Sequence, residues 1–190
     1  MRRLSAILII FATLSALSFK PANTQKLQQE GGQTTVNWLS LDEAMALSQK
    51  EKKKILLSVY TDWCGWCKRM DTTTFENPHI ARFLNDNFYP VKFDAEQHEE
   101  LEYKGKVYKY VKNGKRGYHE LAAELLKGRL SFPTVVFLDE NQEVIQSIVG
   151  YKPPEEFEKI ATYFAQDHYK DTPWSTYQEN FKPTLLRKGN

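Results

Sequence analysis

Two cysteines, Cys64 and Cys67, are the only ones in this chain of 190 residues, and just Gly65 and Trp66 separate them. An apolar, partly β-branched run at residues 55–60 precedes the pair, and this composition predicts a buried strand. Residues compatible with a helix follow the second cysteine. The pair is therefore expected where a strand ends and a helix begins.

That position favours thiol chemistry. A sulfur at the start of a helix is stabilised as thiolate, because the first backbone N–H groups have no intrahelical partner and the helix dipole is positive there. Cys64 has this position and is the expected nucleophile. Cys67 follows about one helical turn later, within reach of a mixed disulfide at Cys64, and is the expected resolving thiol.

Two other interpretations of the pair stay open. One is half of a zinc site, but structural zinc needs four ligands and the four histidines do not stand at ligand spacing, so we expect neither a metal nor another cofactor. The other is a static structural disulfide, although closing so short a loop would restrict the unfolded chain little.

Residues on both sides of the pair resemble the thioredoxin superfamily. The Trp-Cys-Xaa-Xaa-Cys-Lys motif at residues 63–68 follows a strand, and Phe132-Pro133-Thr134 opens another apolar strand far downstream. The segments 61–64, 74–78 and 91–94 are similar to secreted or periplasmic thioredoxin-like thiol-disulfide oxidoreductases, including the C-terminal domain of the thiol-disulfide interchange protein.

The resemblance implies an α/β fold, in which a central mixed β-sheet is flanked by helices. It also implies that Pro133 is a cis-proline facing the nucleophile, and that the backbone of Phe132 pairs with an extended substrate chain. The resemblance thus assigns Phe132 and Pro133 to substrate binding. Trp63, Gly65 and Trp66 are predicted to take part as well, with aromatic packing as an equal alternative for Trp66.

Two positions depart from the family pattern. Where many cytosolic thioredoxins have a buried aspartate that helps to deprotonate the resolving thiol, this chain has Ser58, and Pro90 stands in place of the matching lysine. The proton path for Cys67 is thus left open, with Asp62 or a water as a substitute.

The direction of electron flow depends on the reduction potential of the pair. Gly65 resembles the reductase type, whereas Trp66 is neither the proline usual in reductases nor the histidine of oxidants. We therefore expect a reductase of protein disulfides. A disulfide-introducing oxidase and a binding module without redox cycling are the alternatives. The expected partners are protein disulfide or dithiol substrates and an upstream thiol donor, for which a membrane-bound protein is one candidate.

The beginning of the chain has the pattern of an export signal. Arg2-Arg3 precedes an apolar run, Leu4 to Leu17, that is short for a bilayer span of about twenty residues. We expect a cleavable signal at residues 1–18 and a secreted or periplasmic protein, with a retained anchor as the alternative. Residues 19–35, which are polar, are predicted to be a flexible leader.

The rest is predicted to form one thioredoxin-like domain at residues 36–166 and a C-terminal extension at 167–190, where aromatic residues at helical spacing predict a further packed helix. A net charge of +2, from 26 basic and 24 acidic residues, argues against nucleic acid as a partner. A monomer is expected. The basic run 50–54 is interpreted as a solvated end of the first helix, which a capping box at Ser40 and Glu43 begins.

An insertion at about residues 97–130 separates this chain from a minimal thioredoxin. It is predicted to be a hairpin, with a kink at Gly105 and its turn at Asn113-Gly114, followed by a helix at 120–127. Six basic and no acidic residues lie between Lys104 and Arg116. We interpret this segment as a solvated ribbon, and the alternative is a docking surface for an acidic partner near the active site.

Overall fold

The computed structural model describes residues 35–186, so the predicted signal, nearly all of the predicted leader and the last four residues lie outside the described part. The strands, in chain order, are β1 (Lys54–Tyr60), β2 (Phe88–Asp94), β3 (Leu101–Tyr103), β4 (Lys106–Tyr108), β5 (Tyr110–Asn113), β6 (Arg116–His119), β7 (Thr134–Leu138) and β8 (Val144–Val149). The α-helices are α1 (Leu41–Lys50), α2 (Gly65–Met70), α3 (Pro78–Asn87), α4 (Glu120–Leu125), α5 (Pro154–Ala165) and α6 (Trp174–Asn180). A π-helical turn, Asp71–Phe75, continues α2.

A four-stranded sheet in the order β2-β1-β7-β8 forms the centre. Strand β1 runs parallel to β2 and antiparallel to β7, and β8 pairs antiparallel with β7. Helices cover both faces. The predicted mixed sheet with flanking helices is therefore confirmed.

Strand β1 is buried from Lys54 to Val59 and mostly apolar, because both of its faces are covered. Its alternating side chains enter two different cores. Ile55, Leu57 and Val59 pack with α1 and α4, whereas Leu56 packs with the side chains of α3, α5 and the π-helical turn. The sheet thus fixes the end of β1, which is where the cysteine motif begins.

Side-chain caps begin α1 and α3, and the cap of α1 was predicted. The Ser40 side chain accepts the Glu43 N–H while the Glu43 carboxylate accepts the Ser40 N–H, which forms the capping box of α1. The Asn77 side chain caps α3, and Pro78 occupies its first turn.

The interpretation of residues 50–54 as a solvated run is wrong for Lys54. This residue begins β1, is only 5% exposed, and forms ion pairs with Glu140 at 2.7 Å and Asp167 at 2.9 Å. Two carboxylates therefore compensate the cost of burying its ammonium group.

The insertion contains two hairpins instead of the single predicted one. Lys104 and Gly105 form a two-residue turn between β3 and β4, with φ of 55° and 76° at the two residues. The predicted kink at Gly105 is thus a complete reversal of the chain, because positive φ at both turn positions suits a hairpin. The second hairpin joins β5 and β6 through Gly114 and Lys115, one residue later than the predicted Asn113-Gly114 turn, because Asn113 pairs with Arg116. Helix α4 follows it as predicted.

The C-terminal extension packs on α5, in agreement with the predicted further helix. Tyr177 of α6 lies 4.8 Å from the ring of Tyr163 and is 8% exposed. Glu158, which is fully buried, accepts the backbone N–H groups of Thr184 and Leu185 at 2.6 and 2.8 Å. The outer face of α5 is therefore covered by the chain's own last described residues.

Candidate active site

Cys64 and Cys67 stand where β1 ends and α2 begins, as predicted. Their sulfurs form a disulfide, and their Cα atoms are 5.2 Å apart. Cys64 is the N-cap of α2, and its Sγ accepts the backbone N–H of Cys67 at 3.1 Å. The first sulfur thus takes the place that a serine or aspartate oxygen fills at other helix starts, where developing negative charge is stabilised.

The pair is nearly enclosed in its disulfide form. Cys64 is 5% exposed and Cys67 is 3% exposed, so both side chains are largely covered. In contrast, Trp63 and Trp66 on either side of Cys64 are 52% and 60% exposed. An incoming chain would therefore meet these indole rings around the sulfur.

Phe132 and Pro133 lie at the same edge of the sheet as the cysteine motif. The Phe132-Pro133 peptide bond is cis, as the family resemblance implies. Thr134, which follows, pairs with Val59 near the end of β1, and the ring of Phe132 meets that of Trp63 edge-on at 6.1 Å. Phe132 lies outside the helices and strands. Its backbone N–H and C=O form no hydrogen bond with the backbone of another described residue.

Trp66 lies against Tyr151, which the sequence analysis did not assign to the site. Their ring centroids are 5.5 Å apart, and the Tyr151 hydroxyl is hydrogen-bonded to Thr73 at 3.0 Å. The guanidinium carbon of Arg69 also lies over the Tyr151 ring, 5.7 Å from its centre. Trp66 is therefore supported by packing on one side while most of its surface stays exposed.

Gly65 is the first residue of α2 and is exposed. A Cβ atom at this position would have nothing within 4 Å. Neither the backbone nor the packing requires glycine here, so the residue leaves open space between the two tryptophans.

Arg116 is a second residue that the sequence analysis did not place at the site. It begins β6, and its guanidinium carbon lies 4.6 Å from the centre of the Trp63 ring. The ribbon interpreted as solvated therefore contacts Trp63, the residue before Cys64. Its basic composition was visible in the sequence, but its direction in space was not.

A lysine does lie beside Ser58, although Pro90 stands where the family pattern has one. Pro90 lies opposite Leu56, and Lys92 lies opposite Ser58 in the parallel pairing of β1 with β2. Lys92 forms an ion pair with Asp71 and lies 5.0 Å from the Trp38 ring. An ion pair thus joins β2 to the turn after α2 beside Ser58.

Acidic groups gather where β1 and β2 end. Burial raises the pKa of Asp94, and the negative charges of Asp62 and Glu96 act in the same direction. Burial likewise raises the pKa of Tyr60, and the negative charges of Asp94 and Asp62 raise it further. Asp62, the substitute suggested for the proton path, is itself exposed.

Within residues 35–186 no group of three or more histidine, cysteine and acidic side chains is arranged to hold a metal ion. In the same range, no helix has the length and apolar character needed to cross a bilayer.

Comparison with known proteins gives three kinds of similarity. The family described as "Thioredoxin-like domain" matches residues 41–165. Spermatogenesis-associated protein 20 of Mus musculus is 41% identical over 66 residues, which is 35% of this chain and 8% of that protein. The thiol:disulfide interchange protein DsbD of Vibrio vulnificus is 31% identical over 83 residues, 42% of this chain and 14% of that protein. The chain thus matches only a small part of these relatives.

Solved structures show the same fold. A DsbH oxidoreductase superimposes with a TM-score of 0.53 at 20% identity, over 76% of this chain and 96% of the other. A thioredoxin from Thermus thermophilus does so with a TM-score of 0.52 at 19% identity, over 80% of this chain and 100% of the other. At these identities the similarity concerns the path of the backbone.

Proposed function

The chain belongs to the family of the thioredoxin-like domain, and on this basis we propose that it is an exported thiol-disulfide oxidoreductase that reduces protein disulfides through Cys64 and Cys67. The protein substrates, the reductive direction, the export and the roles of the two sulfurs are all parts of this proposal.

One observation carries the proposal. Cys64 is both bonded to Cys67 and placed at the N-cap of α2, where its Sγ accepts the N–H of Cys67. When the disulfide is reduced, this N–H and the positive end of the helix stabilise the Cys64 thiolate. A purely structural crosslink would not require its first sulfur at a helix start.

The reaction follows from this arrangement. The Cys64 thiolate attacks one sulfur of a substrate disulfide, so that a Cys64–substrate disulfide forms and the other substrate sulfur leaves as a thiolate. Cys67 then loses its proton and attacks Cys64 Sγ, which forms the Cys64–Cys67 disulfide and releases the second substrate thiolate. The pair loses two electrons and the substrate gains them. The two substrate thiolates take up the proton that Cys67 lost and one further proton from water.

The neighbouring residues provide a surface for an extended substrate. The backbone N–H and C=O of Phe132 form no backbone hydrogen bond with another described residue, so a substrate chain could pair with them as an added strand. Trp63 and Trp66 supply exposed aromatic surface beside the sulfur. Gly65 leaves room between them, and Pro133 shapes the end of the groove.

Continuous turnover needs a donor that returns two electrons to the Cys64–Cys67 disulfide. A dithiol protein meets this requirement because it can react by the same exchange in reverse. DsbD is a thiol:disulfide interchange protein by name, and a membrane-bound dithiol protein of this kind is the donor that we propose. The pattern at residues 1–18 supports export to a secreted or periplasmic location.

The test uses single cysteine variants in a turbidity assay of insulin disulfide reduction. Cys64→Ala should abolish reduction, because the attacking sulfur is lost. Cys67→Ala should accumulate a mixed disulfide with the substrate, visible as a mass increase that a small thiol reverses. Unchanged turnover in Cys64→Ala would refute the proposal.

The direction is tested separately by equilibrating the pair with glutathione. A reductase should have a potential near that of thioredoxin, about −270 mV, while an oxidase should lie near about −120 mV. A reduction potential near about −120 mV would instead indicate a disulfide-introducing oxidase.

A further inference from the structure

The second hairpin of the insertion reaches the active site. Arg116, the first residue of β6, places its guanidinium carbon 4.6 Å from the centre of the Trp63 ring. Trp63 is 52% exposed and directly precedes Cys64. A guanidinium stacked on an indole keeps its N–H edge free to bind a planar group such as a carboxylate.

The base of this hairpin is held firmly to the domain. His119, at its end, is fully buried and its N–H donates to the carbonyl of Ala95 at 2.7 Å. Its Nδ1 accepts the N–H of Leu121, so Nε2 carries the proton and donates to the carbonyl of Glu99 at 2.9 Å. Two backbone groups thus bond to the buried imidazole, and a third bonds to the backbone N–H of the same residue.

The middle of the hairpin is fixed by aromatic packing. The Tyr110 ring stacks on His98 with centroids 3.8 Å apart. Gly117 lies under the same ring, and a Cβ atom there would clash with it and with the carbonyl of Val111. The position of the hairpin end near Trp63 is therefore built into its packing.

The charges along the insertion are not distributed evenly. Lys104 forms an ion pair with Glu143, and Lys109 forms one with Glu100 at 2.8 Å. At the other end, the three exposed basic residues have no acidic partner within 4.0 Å among the described residues: Lys112, Lys115 and Arg116. Three of the four basic residues of segment 104–116 that lack an acidic partner among the described residues thus lie at the end where Arg116 contacts Trp63, and Lys106 is the fourth.

We propose that this end of the hairpin, formed by Lys112, Lys115 and Arg116, binds acidic residues beside the reactive disulfide of a protein substrate. The inference rests on the proposed function and names its substrate class: protein disulfides with acidic flanking sequence. Arg116 binds a carboxylate next to the disulfide while stacked on Trp63, and the two lysines attract the surrounding negative charge. A protein substrate fits better than a nucleic acid, because the charge borders a sulfur that reacts with disulfides.

The experiment compares three disulfide-linked peptides that differ only in the residues flanking the cystine, which are glutamate, serine or lysine. For the full chain, kcat/KM should be about tenfold higher for the glutamate peptide than for the lysine peptide, as one charge-assisted hydrogen bond would give. Arg116→Gln should lower that ratio to about twofold. Lys106→Gln, a matched loss of charge on the exposed edge of β4, should keep the wild-type ratio.

Salt supplies a second measurement on the wild-type protein. At ionic strengths near 1 M the Debye length is only about 3 Å, so the preference for the glutamate peptide should largely disappear. This readout stays informative even if Arg116→Gln alters the hairpin.

The outcomes separate the two proposals. If the wild type reduces all three peptides at equal rates, or if Arg116→Gln keeps the full preference, the docking surface is refuted and the oxidoreductase stands. If the wild type reduces none of them, including the serine peptide, the proposed function itself fails.

Discussion

The ring of Phe132 meets the ring of Trp63 edge-on, with centroids 6.1 Å apart and planes at 82°. One residue belongs to the segment before β7 and the other to the loop after β1, so the contact joins the two chain segments that form the proposed groove. Phe132 is only partly buried. Part of its surface therefore stays accessible to the proposed substrate chain.

Phe132→Ala should weaken the reduction of protein disulfides. Loss of an aromatic contact costs about 0.5–1.5 kcal/mol, so KM should rise about 2- to 12-fold. Steady-state kinetics with insulin would measure this. Leu130→Ala, at an exposed apolar residue two positions earlier, is the control and should keep the wild-type KM. Equal effects of the two substitutions would contradict the role of Phe132.

Substitution by alanine should have opposite effects on stability at Gly117 and at Gly65. Gly117→Ala should destabilise the protein by about 1–3 kcal/mol, because the added methyl group would overlap the Tyr110 ring. Gly65→Ala should stabilise it by about 0.5–1 kcal/mol, because a helical glycine with open space around it mainly adds freedom to the unfolded chain. Denaturant unfolding of the disulfide form would measure both, and a tolerated Gly117→Ala would mean that the hairpin packs differently.

The ion pairs of Lys54 with Glu140 and Asp167 should make the stability of the protein depend on pH. Burial alone would lower its pKa, but the hydrogen bond to Glu140 and the charge of Asp167 outweigh burial and raise it above 10.5. For Asp167, burial would raise the pKa, yet the ammonium groups of Lys170 and Lys54 bring it below 3.8. The stabilisation is thus present between these limits. It is lost as pH rises through the raised pKa of Lys54 or falls through the lowered pKa of Asp167.

Lys54→Met should therefore cost about 1–2 kcal/mol near neutral pH, while its methylene packing is preserved. The difference from wild type should shrink below pH 3.8 and above pH 10.5. Thermal unfolding across this range would measure it. Lys50→Met, at an exposed lysine, is the control and should stay within about 0.5 kcal/mol of wild type. A pH-independent difference would argue against the ion pairs.

Glu158 predicts how the C-terminal segment is retained. Glu158→Ala removes the acceptor of the Thr184 and Leu185 N–H groups, so these amides should exchange hydrogen faster, and stability should fall by about 1–3 kcal/mol. Glu158→Gln keeps a carbonyl acceptor and should retain part of the protection. Glu155→Ala, exposed on the same helix, is the control. Unchanged exchange in Glu158→Ala would show that another contact holds this segment.

Local features were predictable from the sequence, because they depend on neighbouring residues. The capping box of α1, the Asn77-Pro78 start of α3 and the strand-to-helix position of Cys64 all follow from short patterns. The cis bond before Pro133 came from the family resemblance and not from any local pattern.

Contacts between distant residues were not predictable. Lys54 looked like one of a solvated run because its partners, Glu140 and Asp167, lie far along the chain. The turn at Lys104-Gly105 was missed because a lysine seldom adopts positive φ, and only Gly105 signalled the reversal. Arg116 reaches Trp63 only through the orientation of a whole hairpin, which no short pattern encodes.

The proposed reaction requires Cys64 to be an ionised nucleophile at the start of α2. The most direct test is the pH dependence of alkylation of the reduced protein, followed by mass spectrometry of each cysteine. We predict that Cys64 reacts first and that its rate reports a pKa below the usual value of about 8.5, whereas Cys67 reacts slowly. Equal rates at both sulfurs, or an ordinary thiol pKa at Cys64, would contradict the account.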